Sequence, residues 1–298
     1  MTKETFAATL QGGEIGSASV LVADGAMGTM LQQAGLPPGT PPEGWLLENS
    51  EAVLAVHRAY IDAGSNLILT CTFGATRPRL ARSDLDNRLD EINRRAVEVA
   101  REAAGDTAFV AGDIGPMGEF LEPLGELTYR EVVDIFAEQA DALARAGADV
   151  LYIETMSALE EVQAAVEGAL QVANGTPVTA TLSFDSHGRT NMGVRPEEAA
   201  EALLDLGVTA LGANCGATLD MTLGAVETMH RVAPEMPLIV KPNAGKPRMV
   251  DNEVVYDATP EDMADYARKF VALGARVVGG CCGSTPEHIA AIAQALRS

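Results

Sequence analysis

EVVDIFAEQADALARAGADVLYIET (residues 131–155) holds the repeating unit of the fold. Val132, Val133, Phe136, Ala140 and Leu143 recur at helical spacing, Gly147 sits where that periodicity stops, and DVLYIET follows as the short apolar run of a buried strand. A glycine at such a junction takes the left-handed conformation that ends a helix and leads into the next strand. Gly64, Gly207 and Gly274 punctuate the chain in the same way. Working outward, strands are expected at SVLVAD (19–24), NLILTCTF (66–73), AFVAGDI (108–114), DVLYIET (149–155), PVTATLSF (177–184), TALGANC (209–215), PLIVKPN (237–243) and RVVGGCC (276–282), with helical stretches between them. Alternating strands and helices imply a parallel sheet covered by helices, and eight such units close into a (β/α)8 TIM barrel, an α/β fold.

The 298 residues suit one barrel, for which about 250 are typical, and 47% hydrophobic residues provide for a large core. No linker or low-complexity stretch divides the chain, so residues 1–298 are expected to form a single domain with a short N-terminal extension. Two connections are long, Gln32 to Pro42 and Gly245 to Pro260, and both should leave the top of the barrel. The formal net charge of -21 argues against nucleic acid and anionic membranes as partners, because both need a basic footprint. Much of the acid lies in helical runs such as RSDLDNRLDEINRRAVEVAREAAGD, whose ordinary meaning is a solvated helix face. No apolar run approaches the roughly 20 residues of a membrane span, and the lead MTKETFAATLQGGEIGSAS lacks a signal peptide's apolar centre, so a cytoplasmic location is expected.

Four cysteines, two of them adjacent, do not suggest a disulfide framework; in a reducing compartment clustered thiols point to metal or catalysis. Active sites of such barrels gather at the C-terminal ends of the strands, where Asp24, Cys71, Asp113, Glu154, Cys215, Asn243 and the pair Cys281 and Cys282 fall. The sixth and eighth strands have one neighbour between them in the ring, which brings Cys215 towards Cys281 and Cys282. Three thiols there suit a tetrahedral Zn2+ with one position open to substrate, and thiolates favour it over Mg2+ or Ca2+. Two other readings stand beside this one. Free cysteines are often small buried hydrophobes, and the glycine-rich GGCCG could be an anion-binding nest of backbone N–H groups, although a nest has no use for thiols.

DGAMGTML (24–31), TCTFGAT (70–76), GDIGP (112–116), YIETM (152–156), GANCG (212–216), PNAGKP (242–247) and GGCCGSTPEHI (279–289) together resemble the homocysteine S-methyltransferase family, in unbroken order from about Val20 to the C terminus. The pair GANCG and GGCCG is the most specific part of the match. The resemblance implies a homocysteine-binding barrel in which Cys215, Cys281 and Cys282 hold Zn2+, the homocysteine sulfur takes the fourth position, and a methyl group is transferred to it to give methionine. It also implies that Asp24 and Glu154 contact the homocysteine amine, with Gly25 allowing close approach of the backbone. Read as residues alone, Asp24 would cap the following helix and Glu154 would form a salt bridge. Cys71 stands where cobalamin-dependent methionine synthases usually carry Asn, and it is expected to line the pocket, since a fourth protein thiolate would exclude substrate. Asn243 is expected to line the site or lend an oxygen ligand when homocysteine is absent; the plainer reading is a turn residue.

The methyl donor is less directly written. Betaine-homocysteine methyltransferases carry a tryptophan in the loop comparable to the one holding Trp45, where an aromatic face attracts a quaternary ammonium, so Trp45 and Phe73 are the expected donor contacts. The animal betaine enzymes have an aromatic pair where this chain reads Phe73-Gly74. Betaine or a similar onium compound is the expected donor, with S-methylmethionine a further one. The alternative is a homocysteine-binding subunit that takes its methyl group from a separate methyl-corrinoid protein. His187, in FDSHGRT, departs from the corrinoid motif D-x-H-x-x-G by having Thr190 at the glycine position. An aldolase-like barrel would instead need a Schiff-base lysine, for which Lys241 is the candidate.

Overall fold

The computed structural model describes residues 2–12, 20–250 and 253–297. Its eight parallel strands are β1 (Leu21–Val22), β2 (Leu67–Leu69), β3 (Phe109–Ile114), β4 (Val150–Met156), β5 (Val178–Leu182), β6 (Ala210–Cys215), β7 (Leu238–Pro242) and, after a hairpin of β8 (Pro247–Val250) and β9 (Glu253–Tyr256), β10 (Ala275–Val278). They neighbour one another in the order β1-β10-β7-β6-β5-β4-β3-β2, and a parallel bridge between Ala23 and Leu67 closes the ring. The expected (β/α)8 barrel is therefore the observed fold. Helices such as Leu89–Ala104, Tyr129–Ala146 and Leu159–Val172 cover it, each turning an apolar stripe inward.

The helix junctions follow the sequence pattern. Gly147 and Gly207 stop their helices in the left-handed region, with φ 95° and 76°, and Gly64 and Gly274 also take positive φ. Several strands, however, end earlier than the apolar runs predict, although β3 and β6 end where expected and β4 runs one residue further. The first covers only Leu21–Val22 of the expected 19–24, of which Ser19 lies outside the described residues. β2 stops at Leu69 and β10 at Val278, so Cys71, Cys281 and Cys282 occupy turns rather than strands. Those turns have their own hydrogen bonds, for example from Thr72 N–H to Thr70 O and from Ser284 N–H to Cys281 O, which take the chain out of the ladder. The long Gly245 to Pro260 connection contains the β8/β9 hairpin, of which Asp251 and Asn252 lie outside the described residues.

The N-terminal extension is part of the core. Helix Lys3–Leu10 places Phe6 and Leu10, both essentially without exposure, among Leu21, Leu67, Phe109 and Val150, the first residues of four barrel strands. Phe6 meets Phe109 edge-on at 5.3 Å between ring centroids. This helix thus plugs the N-terminal end of the barrel and leaves the opposite end open. No helix among the described residues is long and apolar enough to cross a membrane. Emptying the Phe6 position should be felt strongly: Phe6→Ala is expected to lower unfolding stability by about 3–5 kcal/mol, read from the urea midpoint, whereas a near-neutral change would mean that the plug contributes little.

Candidate functional site

At the open end, three backbone hydrogen bonds join the ends of β6 and β7 to the turn after β10. Asn243 N–H donates to Cys215 O, Cys281 N–H to Pro242 O, and Ala244 N–H to Cys282 O, at 3.2, 2.8 and 3.0 Å. β7 is the spacer, and its last residues hold the two cysteine segments in register. The sulfurs of Cys215, Cys281 and Cys282 consequently lie within 4.8 Å of one another. Cys215 adopts φ 59°, an unusual conformation for a residue with a side chain and one that belongs to functional sites more than to scaffolds. A hydrogen bond that the Cys281 thiol donates to Cys215, with burial added, holds the Cys281 thiol well above the ordinary thiol range. Cys71 lines the same cavity but is not one of the clustered sulfurs.

Beneath the sulfurs lies a buried charge network. Asp24 Oδ2 accepts from Leu69 N–H at 2.8 Å and Asp24 Oδ1 from Lys241 Nζ at 3.2 Å, while Lys241 Nζ stands 3.9 Å from Glu154 Oε2. The helix beginning at Met27 has no side-chain cap, so Asp24 is an inward carboxylate and not the capping residue it could have been. Burial raises the pKa values of Asp24 and Glu154 and Lys241 opposes that rise; burial would lower Lys241, but the two carboxylates outweigh it and raise it. With both acids ionised, two negative charges face one positive charge, leaving room for one more ammonium. Lys241 is thus a counter-ion here.

Asn214, which sequence reasoning passed over inside GANCG, ties the network to the sulfurs. Its amide nitrogen lies 2.6 Å from Thr155 Oγ1, 3.3 Å from Glu154 Oε2 and 3.9 Å from Cys281 Sγ, and its Oδ1 accepts from Thr155 N–H and the Thr181 hydroxyl. These bonds hold Thr155 at φ 61°, which a β-branched residue rarely adopts. Asn243 donates to Gly216 O at 2.8 Å, and its Oδ1 is buried without a hydrogen-bond partner among the described residues. Gly25 is required by its own neighbours: a Cβ there would come within 2.7 Å of Ser284 Oγ and 2.9 Å of the Tyr60 ring.

Except for Asn214 and Asn243, these groups open onto one cavity of about 580 Å3, a size ordinary for small-molecule sites; Asn243, expected to line the site, instead has its amide turned to the Gly216 carbonyl behind the wall. Asp24, Gly25, Glu154 and the three sulfurs line it, and its other walls include Glu43, Phe73 and Arg79. Trp45, expected at the donor, begins the short helix Trp45–Glu48, packs against the hydrophobic core and does not line the cavity.

Asp113 also lines the cavity, with Oδ1 buried and without a hydrogen-bond partner among the described residues. Burial, and then the Glu154 charge, hold its carboxyl well above the ordinary range. A pKa raised on folding means that the neutral acid favours the native state and that this stability is lost as pH rises through the raised value. Asp113→Asn keeps the site neutral, so its unfolding midpoint should exceed that of the wild type increasingly as pH is taken from about 4 to about 8; an advantage that instead grows towards acid would refute the buried-charge reading.

The sequence pattern of the family described as homocysteine S-methyltransferase matches residues 21–296. The chain is 32% identical over 299 residues to methionine synthase of Mycobacterium leprae, covering 93% of this chain and 24% of that protein, so it spans about a quarter of that relative's length. It is also 32% identical over 307 residues to betaine–homocysteine S-methyltransferase 1 of Mus musculus, covering 95% of this chain and 73% of that one. Among solved structures, the homocysteine methyltransferase MmuM from Escherichia coli in its metallated form superposes with a TM-score of 0.79 at 29% identity, covering 94% of this chain and 96% of the other. With its eight-stranded barrel, its three converging cysteines and a match over almost its whole length, the chain belongs to the homocysteine S-methyltransferase family.

Proposed function

We propose that this protein transfers a methyl group to the thiol of homocysteine, giving methionine, with Zn2+ at Cys215, Cys281 and Cys282 and a small methyl-onium compound such as betaine as donor. The observation that carries this reading is three sulfurs within 4.8 Å of one another above two buried carboxyl groups, Asp24 and Glu154, that share the single counter-ion Lys241. Three thiolates so close would repel one another strongly, which a divalent cation relieves, and a tris-thiolate set suits zinc. The unpartnered Oδ1 of Asn243 fits an oxygen ligand for the resting site. The reading places the protein in the reducing cytoplasm, where neighbouring thiols persist as ligands.

Zinc held there would keep a fourth, substrate sulfur deprotonated at neutral pH. The protein's own residues do the rest. Asp24 and Glu154 take the homocysteine ammonium, which completes the charge balance that Lys241 leaves one short. Asn214 positions Glu154 relative to the sulfurs. The substrate sulfur then forms its bond to the donor methyl as the methyl–onium bond breaks, and that electron pair leaves with the neutral amine or sulfide. Holding nucleophile, methyl and leaving group in line is the main catalytic contribution open to such a site.

Purified protein is expected to carry about one zinc per chain and to form methionine from homocysteine with betaine or another onium donor. No zinc at all, or turnover only with methylcobalamin, would reject the metal or the donor respectively. Cys282→Ala should lose zinc and activity yet remain folded, and full activity in that variant would sink the mechanism. Glu154→Gln should raise the homocysteine KM about tenfold or more with zinc content unchanged, because a charge-assisted hydrogen bond is lost; equal loss of zinc and binding would make Glu154 structural.

A further inference from the structure

We propose that Glu43, Phe73 and Arg79 form the methyl-donor subsite and select a zwitterionic donor, whose onium centre lies against Phe73 and Glu43 and whose carboxylate is taken by Arg79. This rests on the methyl-transfer reading above and deepens it.

Glu43 comes from the loop after β1, and Phe73, Gly74 and Arg79 from the segment after β2; Glu43, Phe73, Gly74 and Arg79 all line the cavity that holds the clustered sulfurs. Glu43 is 4% exposed, Oε1 of its carboxylate accepts from Gly74 N–H at 2.6 Å, and apart from its own backbone N–H the carboxylate has no other hydrogen-bond donor and no ion pair among the described residues. A carboxylate so buried and so sparsely satisfied is costly unless a cation joins it. Arg79 is partly exposed at the cavity wall, and its guanidinium makes no hydrogen bond or ion pair among the described residues; its marked contact is with the Phe73 ring, 5.8 Å from the centroid. Five N–H donors are thus free for a carboxylate.

Gly74 makes this juxtaposition possible. A Cβ there would fall 2.8 Å from Glu43 Oε1 and 3.3 Å from Arg79 Nε and Nη2, so the space of a side chain is filled by the carboxylate and the guanidinium. The two attract each other across that space, without a salt bridge between them. A carboxylate and a guanidinium beside one aromatic ring select by charge. A simple cation is drawn to Glu43 and repelled by Arg79, and a simple anion the reverse. A molecule carrying both charges satisfies both, and its methyl-bearing onium, which has no N–H to donate, is suited by an aromatic face and a carboxylate that need no hydrogen bond from it.

Betaine and S-methylmethionine share this chemistry, and trimethylsulfonium has the onium without the carboxylate. The test is steady-state methyl transfer by the zinc-loaded protein with each donor in turn, and the lower wild-type KM between betaine and S-methylmethionine identifies the source. Arg79→Gln is expected to raise the KM of the two carboxylate donors about tenfold more than that of trimethylsulfonium, with Arg79→Lys recovering part of the loss. Glu43→Gln, which keeps the acceptor for Gly74 N–H, should raise the KM of all three about tenfold while the homocysteine KM and zinc content stay as in the wild type. Equal effects of Arg79→Gln on every donor, or none on any, overturn the subsite even if Glu43→Gln fails to fold. Wild-type protein inactive with all three but active with methylcobalamin overturns the donor reading itself, a result distinct from retained turnover with unchanged donor KM values in the variants.

Discussion

The parallel register of β6, β7 and β10 is the constraint from which the site follows. Cys215 pairs with Pro242 across β6 and β7, and Cys281 N–H reaches back to the same Pro242 carbonyl, so one strand end sets the spacing of both cysteine segments. Sulfurs more than sixty residues apart in the chain are brought within 4.8 Å by backbone pairing alone. The strained φ of Cys215 is tolerated because Asn243 N–H, Gly216 N–H and the Asn243 amide fix the backbone on either side of it.

The plug at one end of the barrel and the opening at the other divide the interior by polarity. Helix Lys3–Leu10 closes the N-terminal end with apolar contacts, while further along the same strands come Asp24, Asp113, Glu154 and Lys241. Burying so many ionisable groups is unfavourable for folding taken alone. Lys241 offsets part of that cost, and the remainder is what an arriving ammonium group can relieve.

Much of this was legible in the residues. The eight apolar runs, the glycine stops and the three cysteines pointed to the barrel and to the end where the unusual groups collect. Strand ends were misjudged because apolar runs continue past the last ladder bond: in TCTF Thr70, Cys71 and Thr72 remain buried, and in GGCC the two cysteines are half-buried at the cavity, while the backbone has already turned. Trp45 invited a functional role by its likeness to the loop tryptophan of the betaine enzymes, yet the helix it begins packs it against the core. Asn214 and Glu43 gave little sign of themselves, since a single polar residue in a strand or a proline-rich loop has no periodicity to betray it.

The sequence by itself determined the class of fold, the count of its units and the thiol-rich chemistry at one end, because local periodicity, left-handed helix stops and residue type are properties of short segments. Only the tertiary structure decided that Lys241 balances Asp24 and Glu154, that Asn214 links them to the sulfurs, and that Glu43 and Arg79 fill the space over Gly74. Those are contacts between strands and loops distant in the chain. Burial raises the carboxyl pKa values of Asp24, Glu154 and Glu43, and burial is set by the closed barrel as a whole and by no segment of it.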